Sequence, residues 1–334
     1  WPGVKEFVMD YCRTCDKCAA RKPSRKINRA PLGQYIVGEP MEKVALNVLG
    51  PLPMTESGKR FILVVCDCFT KWSEAFPIPD QESSTIIKTF VDEFVCRFGT
   101  PLQILTDQGQ NFQSKIFQEM CDFLKLDQTR TTSMRPQANG TVERFNRTLQ
   151  EMLTMYAEKD QKHWDTYLSQ VMMAYRASIN STTGKTPNMM MLGRNITLPM
   201  EAVVGRPYPS QFNNEVDPDN YLERLRNNME NAHNIARQYL RENSNYQKRH
   251  YDLRAKKRSF TAGQLVWIYD ASKRVGVCHK LTSRWKGPFV VVKKIDDVTY
   301  LIKRSPKQLS KVYHIDRLLP YQGKNPPTWF TKDA

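Results

Sequence analysis

The sequence predicts an α/β protein in which a mixed β-sheet is covered by helices, followed by a long helix and a small β-barrel. Three extended apolar segments come first, and two helical patterns with a short buried strand between them follow. A further helical pattern then precedes a long polar helix and a series of short strands separated by turns. Strands that give way to alternating helices and strands are typical of a mixed sheet with helices on its faces.

The composition indicates a partner of negative charge. The formal net charge is +16 and the pI is about 9.5, so the chain attracts polyanions, of which nucleic acid is the favoured one. No apolar run approaches the roughly 20 residues that span a bilayer, and we expect no membrane partner. Eight cysteines are too sparse for a disulfide scaffold. We therefore expect a reducing compartment, with core thiols at Cys66, Cys68, Cys96 and Cys121.

The first strands are predicted from the segments KVALNVLG, FILVVC and WSEAFPI, the first two separated by the turn-like PLPMTESGKR. Apolar residues at helical spacing from Ile86 to Phe98 predict a helix, and those from Phe112 to Leu124 predict another. The segment PLQILT between them is a short buried strand. A further helix is predicted from the apolar face that begins at Val142.

Residues 219–257 form a long polar helix with a narrow apolar stripe between Leu222 and Leu240. A solvated connecting helix is the expectation, and a dimerisation or DNA-contacting helix is the alternative. We predict six segments: an amino-terminal cysteine-containing module (1–22), a linker (23–40), a core domain (41–205), a linker with the long helix (206–258), a barrel (259–322) and a tail (323–334).

Two acidic residues stand where a catalytic site could form. Asp107 ends the strand LQILT and opens the polar turn DQGQNF, although an aspartate that caps the next helix would look similar. Glu143 lies on the polar side of its helix, where a surface glutamate is the simple alternative. Carboxylates of this kind hold the divalent metals that assist phosphoryl transfer on DNA.

The spacing and surroundings of these acids resemble those of a known family. Between Asp107 and Glu143 lie 35 residues, and LTDQGQNF and RPQANGTVERFNRTL resemble the second and third catalytic motifs of retroviral and retrotransposon integrases. The resemblance extends through FILVVCDCFTKWSEAFPI, AYRASINSTTGKTPNMMMLGR and KLTSRWKGPFVVVKKI. The last segment looks like the GPF/Y module of gypsy-type elements, so the resemblance covers nearly the whole chain.

This resemblance implies a ribonuclease-H-like core with a mixed five-stranded sheet, part of an amino-terminal zinc module, and an SH3-like carboxy-terminal barrel. The implied cofactors are two Mg²⁺ (or Mn²⁺) ions per active site and Zn²⁺ in the amino-terminal module. The implied partners are element-end DNA, target DNA and further copies of the chain, with a host chromatin-tethering protein as a further candidate. We expect the protein to act in the nucleus, after a cytoplasmic stage before import.

The first family motif is altered in this chain. The family has a catalytic aspartate in a segment resembling VALDVLGPLP, whereas this chain reads VALNVLGPLP with Asn47 at that position. An amide oxygen can ligate a metal but brings no negative charge, so we expect poor binding of the second metal and little strand transfer. An engineered inactivating change and natural decay or domestication are both open. Asp67, in VVCDCF, is read as structural, with a stand-in metal ligand as the alternative.

The zinc module is also incomplete in sequence. Cys15 and Cys18 form a CxxC pair suited to half of a tetrahedral zinc site. The family supplies the other half from two upstream histidines, and no histidine precedes Cys15 here. We expect a partial zinc module, with a free thiol pair as the alternative, and assign no role to Cys12. A lesser departure is Arg135, where the family often has histidine.

Backbone contacts by cationic side chains should dominate DNA binding, because integration needs little target sequence specificity. Trp285 and Phe289, which flank the GPF module, are expected in the barrel core rather than stacked on bases. The predicted DNA contacts are Asn139, Arg144, Arg147, Lys256, Lys257, Arg258, Arg284, Lys286, Lys293 and Lys294.

The sequence therefore predicts a retrotransposon integrase that processes 3′ ends of element DNA and joins them to target DNA, impaired by Asn47. A domesticated, non-catalytic DNA-binding descendant is the alternative. A ribonuclease H proper is the weaker third reading, because the long helix, the barrel and the CxxC pair would have no purpose in it.

Overall fold

The structure is a computed structural model that describes residues 2–21, 37–130, 140–158, 160–205, 218–253, 255, 258–270, 283–305, 308, 310–323 and 326. The chain divides into two compact units. The core unit consists of residues 35–244, and the terminal unit combines residues 1–34 with residues 245–334.

The core unit is built on a five-stranded mixed sheet with the strand order β3-β2-β1-β4-β5. Strands β1 to β3 form an antiparallel meander, while β1, β4 and β5 run parallel to one another. This is the ribonuclease-H-like sheet that was predicted. The strands are β1 (Lys43–Leu49), β2 (Phe61–Asp67), β3 (Ser73–Ile78), β4 (Gln103–Thr106) and β5 (Asp127–Arg130).

One face of the sheet packs against helices α7 (Gly140–Ala157) and α8 (Trp164–Ala177). Because side chains alternate between the two faces of a strand, Ala45, Val64 and Leu105 share this face. They form one buried cluster with Val142 and Phe145 of α7. We call this surface the α7 face, and its apolar contacts fix α7 against the centre of the sheet.

The opposite face, the α6 face, includes Val44, Leu46 and Ile104. It is covered by a continuous helical run and by two shorter helices. The run begins as α3 (Ser83–Thr89), passes through a π-helical segment (Phe90–Val95) and ends as α4 (Cys96–Phe98). The shorter helices are α5 (Gln110–Gln113) and α6 (Lys115–Phe123).

The remaining helices of the core unit are α9 (Pro187–Leu192), α10 (Pro199–Val204) and most of the long helix α11 (Pro218–Asp252). The middle of α11 is buried rather than solvated: Ala232 and Ala236 pack with Phe69 and Met190. The Arg237 Nε donates to the carbonyl oxygen of Gly38 at 2.9 Å. The expectation of a solvated connecting helix is therefore wrong for this part of α11.

The terminal unit contains helices α1 (Val4–Thr14) and α2 (Asp16–Arg21) and a five-stranded antiparallel sheet. The sheet has the order β10-β6-β7-β8-β9 and forms the predicted SH3-like barrel around Val266, Tyr300 and Ile302. Its strands are β6 (Leu265–Tyr269), β7 (Trp285–Lys294), β8 (Thr299–Lys303), β9 (Lys311–His314) and β10 (Leu318–Pro320).

The GPF module lies in β7, where the barrel allows little space. A Cβ atom at Gly287 would lie 2.9 Å from the carbonyl oxygen of Val266, so only glycine fits without a shift. Trp285 is buried beside Tyr269, and Phe289 packs against the barrel core. Trp285 is therefore buried outside the central cluster of the barrel, and Phe289 is half-buried against that cluster.

Two strands, one helical segment and one cysteine differ from what the sequence predicted. Strands β5 and β10 and the π-helical segment had no separate signal in the apolar pattern. Cys66 and Cys121 are buried and Cys68 is half-buried, but Cys96 is exposed, so the core prediction is wrong for that thiol. Within the described residues, no helix has the length and apolar character needed to cross a membrane.

The loop between β1 and β2 is tied to the connection between α7 and α8 by a histidine. His163 Nδ1 lies 2.7 Å from Asp160 Oδ2, and its Nε2 lies 3.2 Å from Glu56 Oε2. The hydrogen bond with Asp160, and then the one with Glu56, raises the pKa of His163. The indole Nε1 of Trp164 also donates to the carbonyl oxygen of Pro53 at 2.9 Å. These contacts hold the loop that follows β1.

We predict that His163→Gln lowers the melting temperature of the chain more at pH 6 than at pH 9, where a neutral imidazole keeps one N–H donor but has lost its charge. The folded-state pKa lies above the ordinary value of 6.5, so the stabilisation is complete below that value and is lost as pH rises through the folded pKa. Thermal unfolding from pH 5.5 to 9 measures the effect. Asp160→Asn should give the same profile over this range, whereas a deficit independent of pH would contradict the assignment.

Candidate active site

The parallel pairing of β1 and β4 sets two of the predicted catalytic residues side by side. Val44 pairs with Ile104 and Ala45 with Leu105. Continued by two residues, this register brings Asn47 level with Asp107, on strands that lie about 4.8 Å apart. By alternation both side chains belong to the α7 face, since Ala45 and Leu105 do. Both residues are half-buried.

Asp107 stands in a tight turn directly after β4. Its Oδ1 accepts a hydrogen bond from the backbone N–H of Gly109 at 2.8 Å, and helix α5 begins one residue after Gly109. The aspartate therefore orders the turn rather than capping the helix. A Cβ atom at Gly109 would lie 2.3 Å from Asn111 Oδ1 and 2.9 Å from Asp107 Oδ1. Gly109 was not singled out from the sequence, although its place in TDQG was the available signal.

Glu143 lies in the first turn of α7 and is exposed. Its neighbour Val142 is fully buried in the cluster that also contains Ala45 and Leu105. The structure thus places Asn47 and Asp107 on one face of the sheet, and Glu143 on the helix that covers this face.

The donor atoms at this edge suit a hard divalent cation but are short of charge. Asp107 and Glu143 supply carboxylate oxygens, which Mg²⁺ prefers, and Asn47 supplies a neutral amide oxygen. Among the described residues, no three His, Cys, Asp or Glu side chains are grouped so as to hold a metal ion. A cation held by these three residues would meet two negative charges, because the amide of Asn47 is neutral.

Asp67 lies at the other end of the sheet from this edge. It pairs with Val44, whereas Asn47 pairs with Val64, so about 10 Å of strand separates the two positions. Asp67 is fully buried, and its carboxylate accepts hydrogen bonds from the backbone of Met41 and from Thr70. Burial raises its pKa against the lowering effect of these hydrogen bonds. This arrangement favours the structural role over the stand-in metal ligand.

The CxxC pair lies at the junction of α1 and α2 in the terminal unit. Cys15 and Cys18 are both half-buried, and Cys12 is exposed. The backbone N–H and the thiol of Cys18 lower the pKa of Cys15 by hydrogen bonding, which favours the thiolate form that binds metals. The geometry is that of two adjacent thiol ligands and supplies half of a tetrahedral site.

The predicted DNA contacts fall into two groups within the structure. Arg144 and Arg147 are exposed on α7 beside Glu143. On the barrel, Arg284 and Lys293 are exposed, but the Arg284 Nη1 donates to the hydroxyl of Tyr269 at 2.9 Å. Asn139, Lys256, Lys257 and the sequence departure at Arg135 lie outside the described residues.

Three other barrel cations already have partners. The Arg258 guanidinium donates to the carbonyl oxygen of Leu318 at 3.0 Å, and burial lowers its pKa. Lys286 forms an ion pair with Asp270, and Lys294 lies 2.7 Å from Asp297. The placement of Arg258 favours a structural role over a DNA contact, and the carboxylates weaken the positive field around both lysines.

The five-stranded mixed sheet with helices on both faces has the architecture of a ribonuclease-H-like integrase core. Comparison with known proteins agrees with this class. The model of the integrase core domain matches residues 39–136. The model of the integrase p58 carboxy-terminal domain matches residues 287–320.

Similar proteins include the retrovirus-related Pol polyprotein from transposon 412 of Drosophila melanogaster, which is 26% identical over 332 residues, covering 97% of this chain and 25% of the relative. The Gag-Pol polyprotein of avian reticuloendotheliosis virus is 26% identical over 291 residues, covering 87% of this chain and 24% of the relative. The chain thus spans about a quarter of the length of these relatives.

The fold is also similar to a chain in the structure of the simian T-cell lymphotropic virus intasome in complex with PP2A regulatory subunit B56 gamma. The TM-score is 0.57 at 18% identity, covering 96% of this chain and 91% of that chain. This similarity extends over both units and shows the fold. Together these comparisons show an integrase core domain in the chain and a similarity to the integrase-containing polyproteins of a retrotransposon and a retrovirus.

We predict that Asp67→Asn lowers the free energy of unfolding by about 1–3 kcal/mol, because an amide places donors against the N–H groups that Asp67 accepts from. Urea denaturation measures the change. Divalent-metal affinity of the folded variant should be unchanged. Loss of metal affinity without loss of stability would favour the alternative, in which Asp67 is a metal ligand.

Proposed function

We propose that the chain is the integrase of a gypsy-type retrotransposon, which processes the 3′ ends of element DNA and joins them to target DNA. The observation that carries this proposal is the level placement of Asn47 and Asp107 on the face covered by α7, which bears Glu143. The reaction is phosphoryl transfer, in which water attacks first and the freed 3′-hydroxyl attacks a target phosphodiester afterwards.

Asn47, Asp107 and Glu143 would hold Mg²⁺ or Mn²⁺, which when bound activate the attacking oxygen and stabilise the leaving one. The residues of the chain prepare that site. The Gly109 N–H orients one oxygen of Asp107, and Glu143 is exposed on a helix fixed by buried neighbours. Asn47 leaves the site with two negative charges where the family has three. We propose that this deficit weakens binding of a second cation and impairs catalysis in this chain.

The cationic surface supports the DNA partners. Arg144 and Arg147 are exposed on the same helix as Glu143, where guanidinium groups could contact the phosphates of a DNA end. Cys15 and Cys18 would contribute to a zinc site in the amino-terminal module.

Assembly and location follow from the proposed reaction. The similar viral chain is part of an intasome bound to a host regulatory subunit, which supports a homo-multimer on two DNA ends and a host partner for this chain. Because the target is chromosomal DNA, we place the site of action in the nucleus, after a cytoplasmic stage.

A non-catalytic, domesticated DNA-binding descendant is the second candidate function, and Asn47 is the observation that favours it. The presence of both Asp107 and Glu143, in a turn and on a helix with ordered surroundings, favours the enzyme.

We predict that Asn47→Asp increases Mg²⁺-dependent strand transfer by about 100-fold or more, because a third carboxylate stabilises the bound cations by several kcal/mol. Joining of pre-cleaved element-end DNA to a plasmid target measures the rate. The double variant Asn47→Asp with Asp107→Asn is the control and should return to background. Equal activity of the chain and its Asn47→Asp variant would falsify the assignment of position 47, while two inert proteins that bind DNA would favour the domesticated reading.

We predict that Arg147→Gln weakens binding of double-stranded DNA to a similar extent for different sequences. Loss of one phosphate contact should reduce the slope of log affinity against log salt by about 0.9. Fluorescence anisotropy at several salt concentrations measures both quantities. Arg97→Gln is the matched control. Arg97 is exposed in α4, which precedes the first residue of β4, whereas Asp107 follows the last residue of that strand. Equal slopes for the two variants would remove Arg147 from the DNA contacts.

A further inference from the structure

Gln128 lies on the edge strand β5, and its side chain contacts residues on both sides of the turn that contains Asp107. It pairs with Ile104 of β4, and Ile104 belongs to the α6 face. The Gln128 side chain therefore approaches the end of β4 from the face opposite to Asp107. It is half-buried, between the sheet and helix α5.

The amide group of Gln128 contacts the chain on both sides of the Asp107 turn. Its Nε2 donates to the hydroxyl oxygen of Thr106 at 3.2 Å and to the carbonyl oxygen of Phe112 at 3.1 Å. Thr106 immediately precedes Asp107 and is fully buried. Phe112, in α5, is buried and makes an edge-on contact with Phe117, with the two ring centroids 5.3 Å apart. One nitrogen thus links the residue before the turn to the helix after it.

Other hydrogen bonds fix the far side of the same turn. The carbonyl oxygen of Asn111 accepts from Ser83 Oγ at 2.8 Å and from Ser114 Oγ at 3.1 Å. These serines hold the turn to α3 and α6, whereas Gln128 holds it to the sheet. The backbone that carries Asp107 is therefore restrained at the strand end and at the helix end, with Gly109 bound to the carboxylate between them.

We propose that Gln128 is a positioning residue for the metal-binding carboxylate of Asp107. The proposal rests on the proposed function, in which Asp107 is a ligand. Groups that orient a metal ligand influence metal affinity and activity although they do not touch the metal. Mg²⁺ demands near-ideal octahedral geometry, so a small rotation of the turn should weaken its binding more than it weakens folding.

The chemistry of the side chain explains why glutamine suits this position. A primary amide carries two N–H donors on one nitrogen, which can serve two acceptors that lie in different directions. Methionine has a similar length and no donor, so Gln128→Met removes both hydrogen bonds with little change in volume. Thr106→Val removes the hydroxyl group that accepts from Gln128 and leaves the Phe112 carbonyl oxygen as an acceptor for Gln128.

The test measures Mn²⁺ affinity of the full chain, from the electron paramagnetic resonance signal of free Mn²⁺, in the Asn47→Asp background. Gln128→Met should weaken binding by about 10-fold, the lower end of the effect of such supporting residues. Thr106→Val should give a smaller loss of the same kind. Gln238→Met is the matched control, because Gln238 is exposed on α11 and its Nε2 donates outside this arrangement, to Glu242 Oε1 at 2.9 Å.

Strand transfer measured on the same proteins separates this inference from the proposed function. If the Asn47→Asp parent is inert but Gln128→Met still weakens Mn²⁺ binding relative to Gln238→Met, the positioning role stands and the proposed reaction fails. Unchanged Mn²⁺ affinity in Gln128→Met overturns the positioning role whatever the activity. If Gln128→Met does not fold, Thr106→Val decides the question, and an affinity equal to that of the parent overturns the proposal.

Discussion

The parallel pairing of β1 with β4 is the constraint on which the candidate active site depends. These strands are far apart in sequence. Their register brings Asn47 and Asp107 side by side towards the carboxyl ends of the two strands. A shift by one residue would turn one of the two side chains to the α6 face. The buried residues Ala45 and Leu105, packed with Val142 of α7, hold this register in place. The same contacts thus align the strands and seat the helix that carries Glu143.

Charge, rather than shape, is the respect in which Asn47 differs from the aspartate of the integrase motif that this segment resembles. The fold around position 47 keeps the strand, its partners and the turn at Asp107, while the side chain at that position is an amide. An amide keeps the oxygen donor and the volume of the carboxylate but removes its charge. Because divalent cations close to one another repel strongly, the number of carboxylates matters more than the number of oxygen atoms. The proposed weakening of cation binding thus requires no change in the strand pairing or in the turn at Asp107.

The sequence predicted the elements that have periodic apolar residues and the candidate site residues that lie in motifs. The central strands and helices follow from periodic apolar residues, and Asp107 and Glu143 from their flanking segments. Strand β5 escaped, because its polar sequence DQTR pairs only through the register with β4. The burial of Ala232 and Ala236 also escaped, since small residues on a polar helix give a weak apolar signal. Gln128 could not be found by pattern, as its role depends on two acceptors brought together by folding.

The distribution of free positive charge also could not be obtained by counting basic residues. Lysines and arginines of the barrel looked equivalent in sequence, yet Arg258 is drawn into the barrel by backbone carbonyls and Lys286 faces Asp270. Arg147 lies on the exposed side of the helix that bears Glu143. A phosphate interacts with the local field rather than with the net charge of +16, and carboxylates within ion-pair distance cancel much of that field. The proposed DNA contact of Arg147 therefore meets less local cancellation of its charge than a contact at Lys286 or Lys294 of the barrel would.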